Sequence, residues 1–197
     1  MGGVSRLKIE NPSFIEIYDN ALTKRECEIL ISEFERSPHV EGRSISQRYG
    51  NKRNYDPSIK KSIELENIRF LDQSVISTII SNSLHTCMDK YGKKFTQVND
   101  VNYWSWEDSY TFKKYETAED GFKQWHTEHG SGRAALRMLV WTFYLNNAKS
   151  GTEFRSYPTV KAKEGRCVIW PSSFTHLHRS EPNKGLKYLV TGWVSFE

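Results

Sequence analysis

The fold is decided by the stretch Leu136-Arg137-Met138-Leu139-Val140-Trp141-Thr142-Phe143-Tyr144-Leu145-Asn146, the strongest strand pattern in the chain. Its side chains are apolar on both faces, which is typical of a strand buried at the centre of a sheet. Shorter strand patterns precede and follow it, separated by turn residues. They cover residues 101–106, 110–115, 152–155, 159–162, 166–171 and 186–194. Closely spaced strands of this kind predict a β-sandwich or a jelly roll.

Helix patterns dominate the part of the chain before these strands. Thr23 is a suitable N-cap, and Glu26 three residues later completes a capping box. Apolar residues from Cys27 to Phe34 then recur at i, i+3, i+4 and i+7. This spacing predicts an amphipathic helix that ends at about Arg36.

A second helix pattern covers about residues 64–90, and Tyr91-Gly92 is expected to end it. We expect both helices, within about residues 20–95, to cover one face of the sheet that about residues 98–197 form. The chain is therefore predicted to be a single α+β, mainly β domain spanning residues 1–197.

The composition indicates a polar protein of moderate charge. The 197 residues are 37% hydrophobic and 13% aromatic and carry a formal net charge of +4, and the mean hydropathy is −0.67. This charge is too small to argue for a nucleic-acid-binding protein. Three widely spaced cysteines fit a reducing compartment. We expect neither a signal peptide nor a membrane span, because residues 1–6 show no apolar signal pattern and no apolar run is long enough to cross a bilayer. We therefore expect a cytoplasmic protein without a membrane partner, and the oligomeric state stays open.

A basic run that contains tyrosine occupies residues 41–61 and permits three interpretations. The first, which we favour, is a solvated loop between strands. The second is a mobile lid that meets an acidic or peptide substrate. The third is a platform for single-stranded nucleic acid, because such platforms combine basic and aromatic residues.

Two short histidine clusters, residues 125–129 and 175–179, are interpreted as the two halves of one metal site. The first contains His126 and Glu128. In an extended strand, residues i and i+2 point to the same face, so these two side chains would present an imidazole and a carboxylate to one ion.

The second cluster offers either His176 or His178 as a further ligand, because both have the same strand parity. Two imidazoles and one carboxylate on one side of an octahedral ion leave positions open for a 2-oxoacid and O₂, which suits Fe(II) oxygenases. Zinc hydrolases more often complete a tetrahedron with one water.

A turn from Glu181 to Gly185 follows the second cluster. We expect it to fold the last strand back along the segment that carries His178. Lys187 would then lie near the metal in the interior of the barrel, where a buried lysine needs an anionic partner.

Residues 110–194 resemble the double-stranded β-helix core of the 2-oxoglutarate- and Fe(II)-dependent dioxygenases, in particular the prolyl 4-hydroxylase-like branch. Residues 1–40 match the family loosely, and residues 40–100 match it only in the order of elements. The resemblance implies a jelly-roll, cupin-like core with N-terminal helices packed on one sheet. The motifs that carry it are Tyr115, His126-Thr127-Glu128, Tyr144-Leu145-Asn146, Gly151-Thr152-Glu153-Phe154, residues 161–166, His178, Pro182, Gly185, Lys187-Tyr188 and Trp193.

The resemblance also implies roles for individual residues. His126, Glu128 and His178 would bind iron and form the catalytic centre, and the ammonium of Lys187 would pair with the far carboxylate of 2-oxoglutarate. The residues implied to bind this cosubstrate are Lys187, Tyr144, Thr191 and Tyr115. The candidates for lining the substrate groove are Arg137, Trp104, Trp106, Tyr49 and Tyr55.

The activity implied by the resemblance is hydroxylation of an unactivated C–H bond, with release of succinate and CO₂. The expected substrate is a prolyl residue in a peptide or protein. Fe(II), 2-oxoglutarate and O₂ are the implied cofactors, with ascorbate as an optional addition. The alternatives are an oxidative nucleic-acid demethylase of the same superfamily, a non-catalytic β-barrel binding module and a zinc hydrolase.

Glu128 departs from the family pattern, which usually has aspartate at this position. The extra methylene moves the carboxylate by about one C–C bond, whereas metal–ligand distances tolerate deviations of only about ±0.2 Å. The backbone must therefore shift, or the carboxylate must use another rotamer. We expect Glu128 to remain compatible with iron.

Overall fold

The computed structural model describes residues 12–42, 44–46, 52–101 and 103–197, with the backbone alone at residues 44–46, 52–54 and 67. Two α-helices and fifteen β-strands lie within this part of the chain. The helices are α1 (Lys24–Arg36) and α2 (Val75–Lys94). The strands are β1 (Glu16–Tyr18), β2 (Val40–Glu41), β3 (Ser44–Ser46), β4 (Lys52–Asn54), β5 (Lys60–Lys61), β6 (Ile63–Arg69), β7 (Trp104–Trp106), β8 (Ser109–Tyr115), β9 (Gly121–Phe122), β10 (Arg137–Tyr144), β11 (Gly151–Phe154), β12 (Val160–Lys161), β13 (Arg166–Pro171), β14 (His178–Ser180) and β15 (Lys187–Phe196).

An antiparallel main sheet has the strand order β1-β13-β10-β15-β8-β6-β2, and β7 pairs with the end of β15. Strand β10 lies between β13 and β15, which confirms the predicted central strand. A smaller sheet has the order β12-β11-β14, and two further strand pairs are β3-β4 and β5-β9.

The two helices cover one face of the main sheet. Leu30 of α1 and Leu84 of α2 pack into an apolar cluster with Trp141 and Phe143 of β10. These side chains are buried because alternate residues of β10 point towards the helices.

Helix α1 begins as the sequence predicts. The backbone N–H of Glu26 donates to Thr23 Oγ1 at 3.2 Å, and the backbone N–H of Thr23 donates to Glu26 Oε2 at 2.7 Å. This reciprocal pair is the capping box, and it satisfies two N–H groups that the first helical turn leaves unpaired.

The opposite face of the main sheet meets the smaller sheet across a second apolar cluster. Val140, Tyr144 and Leu189 of the main sheet pack there with Phe154 and Val160 of the smaller sheet. We call the space between these two sheets the interior. Two facing sheets around such a space form the jelly roll that the sequence predicts.

The predicted second helix is wrong over its first part, because Ile63–Arg69 forms strand β6. Ile63 and Leu65 pack against the helix-side cluster, whereas Glu64 is buried and aligned with Lys113 of the interior face. This alternation has the period of a strand. The spacing of the apolar residues also fitted a helix, and long-range pairing with β8 decides between the two.

The end of the second helix also differs from the prediction. Helix α2 continues through Tyr91-Gly92 and ends at Lys94. Asn99 donates from Nδ2 to the Gly92 carbonyl at 3.1 Å, and a Cβ at Gly92 would lie 3.0 Å from Asn99 Oδ1. Glycine therefore serves close packing inside the helix rather than termination.

The last strand does not fold back along the segment of His178. Strand β14 pairs with β11 of the smaller sheet, and β15 pairs with β10 and β8 of the main sheet. Asn183 organises the turn between them, because its Nδ2 donates to the carbonyls of Thr117 and Gly185 at 2.9 and 2.7 Å. The turn thus carries the chain from one sheet to the other.

The basic run at 41–61 is not the simple loop that we favoured. Strands β3 and β4 pair within it, and β5 pairs with β9. Tyr49 lies outside the described residues. Tyr55 is exposed on the surface. No helix in the described part of the chain has the length and apolar character of a transmembrane segment.

Candidate metal centre

Three side chains predicted as metal ligands meet in the interior. Potential ligand atoms of His126, Glu128 and His178 all lie within 4.8 Å of one another. Glu128 Oε1 is 3.5 Å from His126 Nε2 and 3.8 Å from His178 Nε2. Three donor atoms at these separations can surround a single ion from one side.

The backbone explains how the two halves of this cluster meet. The N–H groups of His126 and His178 each donate to the other residue's carbonyl at 3.0 Å, which forms an isolated antiparallel bridge. The Glu128 N–H donates to Ser172 O at 3.1 Å. The predicted extended strand at 126–128 is therefore wrong, since the histidine sits in a bridge and the glutamate follows in irregular backbone.

Both imidazoles are oriented for metal binding. Nδ1 of His126 is 3.0 Å from the Gln124 carbonyl, and Nδ1 of His178 is 2.9 Å from the His176 carbonyl. A carbonyl accepts only, so each Nδ1 carries the proton and each Nε2 keeps a lone pair facing Glu128. The Phe122 ring stacks on His126 at 3.6 Å between centroids and holds that imidazole in its orientation.

The protonation states also fit a metal. Burial and the neighbouring His178 lower the pKa of His126, which favours neutral imidazole. Burial alone would raise the pKa of Glu128, but its contacts with His126 and His178 outweigh this and hold its pKa well below the ordinary value. A neutral imidazole and an ionised carboxylate are the forms that coordinate a cation, so this donor set fits Fe(II).

His176 is excluded from the cluster by its own contacts. It ends a 3₁₀ helix, so the predicted strand parity with His178 is wrong. Its Nε2 is 2.6 Å from the Ser13 carbonyl, and its ring stacks on Tyr157 at 4.9 Å. These contacts hold the segment before β1 against the smaller sheet.

Arg137 contacts the carboxylate of Glu128, one of the three candidate metal ligands. Its Nη1 donates to Glu128 Oε2 at 3.3 Å, and its Nε donates to Glu107 Oε1 at 3.0 Å. The guanidinium carbon is 3.5 Å from the centroid of the Trp193 ring. Arg137 was predicted to line the substrate groove. In the structure its guanidinium instead donates hydrogen bonds to the carboxylates of Glu107 and Glu128.

Glu107 was missed by the sequence analysis. It is 6% exposed, and it also accepts a hydrogen bond from Ser195 Oγ at 2.8 Å. The position of Glu107 depends on the pairing of β7 with the end of β15. No local pattern signals a contact that this pairing creates.

Trp104 and Trp106 lie on the wrong side of the main sheet for a substrate groove. Both pack against the helix-side cluster. The Trp106 ring contacts His85 at 4.2 Å between centroids, and Trp104 Nε1 donates to the Val98 carbonyl at 3.0 Å. The alternation of β7 was read correctly, but it does not say which face meets the helices.

Lys187 is a buried ammonium in the interior. It is 1% exposed, and its Nζ lies 4.8 Å from the centroid of the Tyr115 ring. No described carboxylate forms an ion pair with it. Burial lowers the pKa of Lys187 to about 8, and the charge of Glu181 opposes that shift only in part. An unpaired buried cation of this kind fits an anionic ligand.

The other predicted cosubstrate residues line the same interior. Tyr144 and Thr152 share a hydrogen bond of 2.6 Å between their hydroxyls. Thr191 Oγ1 accepts from Thr142 Oγ1 at 3.0 Å and donates to the Trp141 carbonyl at 2.9 Å. Their hydroxyl groups are polar atoms in an otherwise apolar cluster.

A second charged cluster was also missed by the sequence analysis. Glu64 is 1% exposed, and its carboxylate oxygens lie 2.8 and 3.0 Å from Lys60 Nζ. Ser62 Oγ donates to Glu64 Oε1 at 2.8 Å. Lys113 is aligned with Glu64 across the pairing of β8 and β6. Burial alone would lower the pKa of Lys113, but the charges of Glu64, Tyr115 and Glu128 outweigh this effect, so the pKa is raised.

Comparison with known proteins supplies a family match for part of the chain and a fold for nearly all of it. Residues 110–195 match the model of the 2OG-Fe(II) oxygenase superfamily. No curated protein sequence matches the chain.

Several solved structures are similar to the whole chain. A viral collagen prolyl hydroxylase from Paramecium bursaria Chlorella virus-1, in complex with 2-oxoglutarate, is 15% identical with a TM-score of 0.66 and covers 93% of this chain and 97% of its own. A Pseudomonas putida prolyl-4-hydroxylase is 16% identical with a TM-score of 0.63 and covers 94% of both chains.

A prolyl hydroxylase from Trichoplax adhaerens, in complex with a hypoxia inducible factor peptide fragment, is 14% identical with a TM-score of 0.67. It covers 93% of this chain and 84% of its own. At these identities the likeness establishes the double-stranded β-helix fold.

Proposed function

We propose that the chain is a 2OG-Fe(II) oxygenase, because residues 110–195 match the model of that superfamily, and that it hydroxylates prolyl residues in a peptide or protein. The proposal extends over residues 1–197 as one catalytic domain. A cytoplasmic location is part of it, and the three cysteines, all free and buried, agree with a reducing compartment.

One observation carries the proposal. The His126–Glu128–His178 cluster and the buried, unpaired Lys187 belong to the same interior. The first offers three ligands for Fe(II), and the second offers one positive charge for a carboxylate. A dicarboxylate that reaches from a metal ion to a buried ammonium satisfies both.

In this proposal the three clustered side chains hold Fe(II), and the bound iron supplies the oxidative chemistry that converts 2-oxoglutarate and O₂ to succinate and CO₂ while hydroxylating a C–H bond. The chain's own residues position the reactants and exclude water. Lys187 neutralises the far carboxylate of 2-oxoglutarate. Tyr144 and Thr191 contribute hydroxyl groups beside that carboxylate, and the Tyr115 ring covers the Lys187 ammonium.

The dry surroundings strengthen these contacts. Val140, Val168 and Leu189 are buried in the interior cluster, so the ammonium and the cosubstrate carboxylate would meet with little solvent screening. The same apolar walls keep bulk water from the reacting centre.

The choice of a prolyl substrate is supported by the similar structures. Two of them are prolyl hydroxylases of viral and bacterial origin, and a third was solved with a peptide bound. The similarity extends over more than nine-tenths of this chain in all three. A peptide is therefore the first class of substrate to test.

The decisive experiment presents the purified protein with Fe(II), 2-oxoglutarate, O₂ and a panel of proline-containing peptides. We expect succinate release, and peptides whose mass has increased by one oxygen atom. His126→Ala should abolish both signals, and His176→Ala should retain them. Succinate release without any hydroxylated peptide would refute the prolyl substrate, and absence of both signals would refute the proposed centre.

An oxidative nucleic-acid demethylase is the second candidate. It is favoured by the basic residues Arg43, Arg48, Lys52 and Arg53 in one short run. Methylated single-stranded DNA and RNA, added in place of the peptides, test it directly. Demethylation together with unmodified peptides would favour this candidate over the first.

A further inference from the structure

Lys113 is a charged residue of the interior. Neither metal binding nor cosubstrate binding, as proposed above, uses its charge. It lies on β8, two residues before Tyr115, so both side chains point to the same face of the sheet. In the register of the main sheet it stands between Leu189 of β15 and Glu64 of β6. It therefore lies on the wall of the interior that leads from the candidate metal centre towards β6.

The nearest carboxylate across the sheet is already neutralised. Lys60 Nζ contacts both oxygens of Glu64, at 2.8 and 3.0 Å, and Ser62 donates to one of them. No described carboxylate forms an ion pair with Lys113. Glu64 and Glu128 act on Lys113 from a longer distance, where they keep it protonated without occupying its N–H groups.

The charges of the interior balance except at Lys113. Lys60 neutralises Glu64, Arg137 neutralises Glu107, and Lys61 pairs with the buried Asp120 at 3.2 Å. Iron as a dication, the Glu128 carboxylate, the Lys187 ammonium and dianionic 2-oxoglutarate also sum to zero. One positive charge remains on the partly buried Lys113, whose ammonium can donate a charge-assisted hydrogen bond to a carboxylate.

The neighbouring sequence adds no negative charge. Residues 43–54 contain Arg43, Arg48, Lys52 and Arg53 but no aspartate or glutamate. This run precedes β5, which carries Lys60. The sequence directly before β5 therefore carries excess positive charge.

We propose that Lys113 receives a carboxylate of the substrate, so that the preferred substrate is a peptide with aspartate or glutamate next to the hydroxylated residue. This inference rests on the proposed peptide hydroxylation. The two carboxylates of 2-oxoglutarate are already provided for by the metal centre and by Lys187, which leaves the substrate as the source of the anion.

The test uses synthetic peptides that differ only in the residues flanking proline, with aspartate, asparagine or lysine there. The wild type should hydroxylate the aspartate peptides with a kcat/KM about tenfold higher than that of the asparagine peptides, as a charge-assisted hydrogen bond provides. Lys113→Gln should remove this difference, Lys113→Arg should retain it, and Lys113→Glu should shift the preference to the lysine peptides.

Lys114→Gln is the matched control. Lys114 is the next residue of β8 and points to the other face, where its Nζ contacts Glu35 and Glu116 at 2.9 and 2.8 Å. It should keep the aspartate preference. Succinate release without peptide should stay within about twofold of the wild type in Lys113→Gln, which shows that the variant folds and binds the cosubstrate.

Three outcomes would overturn the inference. Equal hydroxylation of the aspartate and asparagine peptides by the wild type would overturn the inference alone. A Lys113→Gln variant that keeps the preference but requires about tenfold more 2-oxoglutarate would also overturn it, because Lys113 would then serve the cosubstrate. Hydroxylation of no peptide would refute the proposed function, and the inference would fall with it.

Discussion

Replacing Lys187 by methionine should stabilise the protein without metal and cosubstrate while it destroys 2-oxoglutarate binding. Burial lowers the pKa of this ammonium from 10.5 to about 8. A difference of this size between the unfolded and folded states corresponds to about 3 kcal/mol of unfolding free energy that the charge costs at pH 7. Methionine fills a similar volume without a charge, so Lys187→Met should recover about that amount.

The pH dependence gives this prediction its sign. Between pH 8 and 10.5 the unfolded state binds the Lys187 proton more tightly than the folded state does. The unfolding free energy of the wild type therefore rises with pH in this window, whereas the methionine side chain of the variant does not titrate. The advantage of the variant should be full below pH 8 and should shrink progressively towards pH 10.5.

Urea unfolding of the metal-free proteins at several pH values measures both effects. The wild type should also gain stability when Mn(II) and 2-oxoglutarate are added, and the variant should not gain from the cosubstrate. Lys114→Met is a suitable control, because Lys114 is paired with carboxylates at the surface. A Lys187→Met variant that is less stable than the wild type at pH 7, or whose advantage does not change with pH, would refute the reasoning.

Three further predictions concern the metal centre and the core. Arg137→Gln should weaken Fe(II) binding by about 10- to 100-fold in equilibrium dialysis, because the guanidinium orients the metal carboxylate; unchanged affinity would make Arg137 a residue of the substrate side, as first predicted. His178→Ala should abolish Fe(II) binding while His176→Ala spares it and lowers the melting temperature, and the reverse result would exchange their roles. Gly192→Ala should cost about 1–3 kcal/mol in thermal unfolding, since its Cβ would lie 2.3 Å from the Trp141 ring; unchanged stability would show that the core yields at this point.

Local chemistry let the sequence alone predict several features correctly. The capping box of Thr23 and Glu26 and the central strand β10 depend on neighbouring residues and on side-chain period, which the sequence displays directly. The pairing of His126 with Glu128 was predicted from strand parity, and it holds without the strand because two donors so close in sequence reach one ion in many backbone conformations. The predicted strand between them was not needed for that result.

Tertiary structure alone decided the features that depend on strand register across the sheets. The helical spacing of residues 64–90 could not reveal that pairing with β8 makes Ile63–Arg69 a strand and brings Glu64 opposite Lys113. The same holds for Glu107, which meets Arg137 only because β7 pairs with the end of β15.

The choice between the two histidines of the second cluster follows the same rule. Their spacing in sequence was compatible with either one, and the 3₁₀ helix that ends at His176 breaks the parity between them. The bridge to His126 then selects His178. A periodic pattern records which residues share a face of one element, but the partner that each face meets is decided by chain segments far away in sequence.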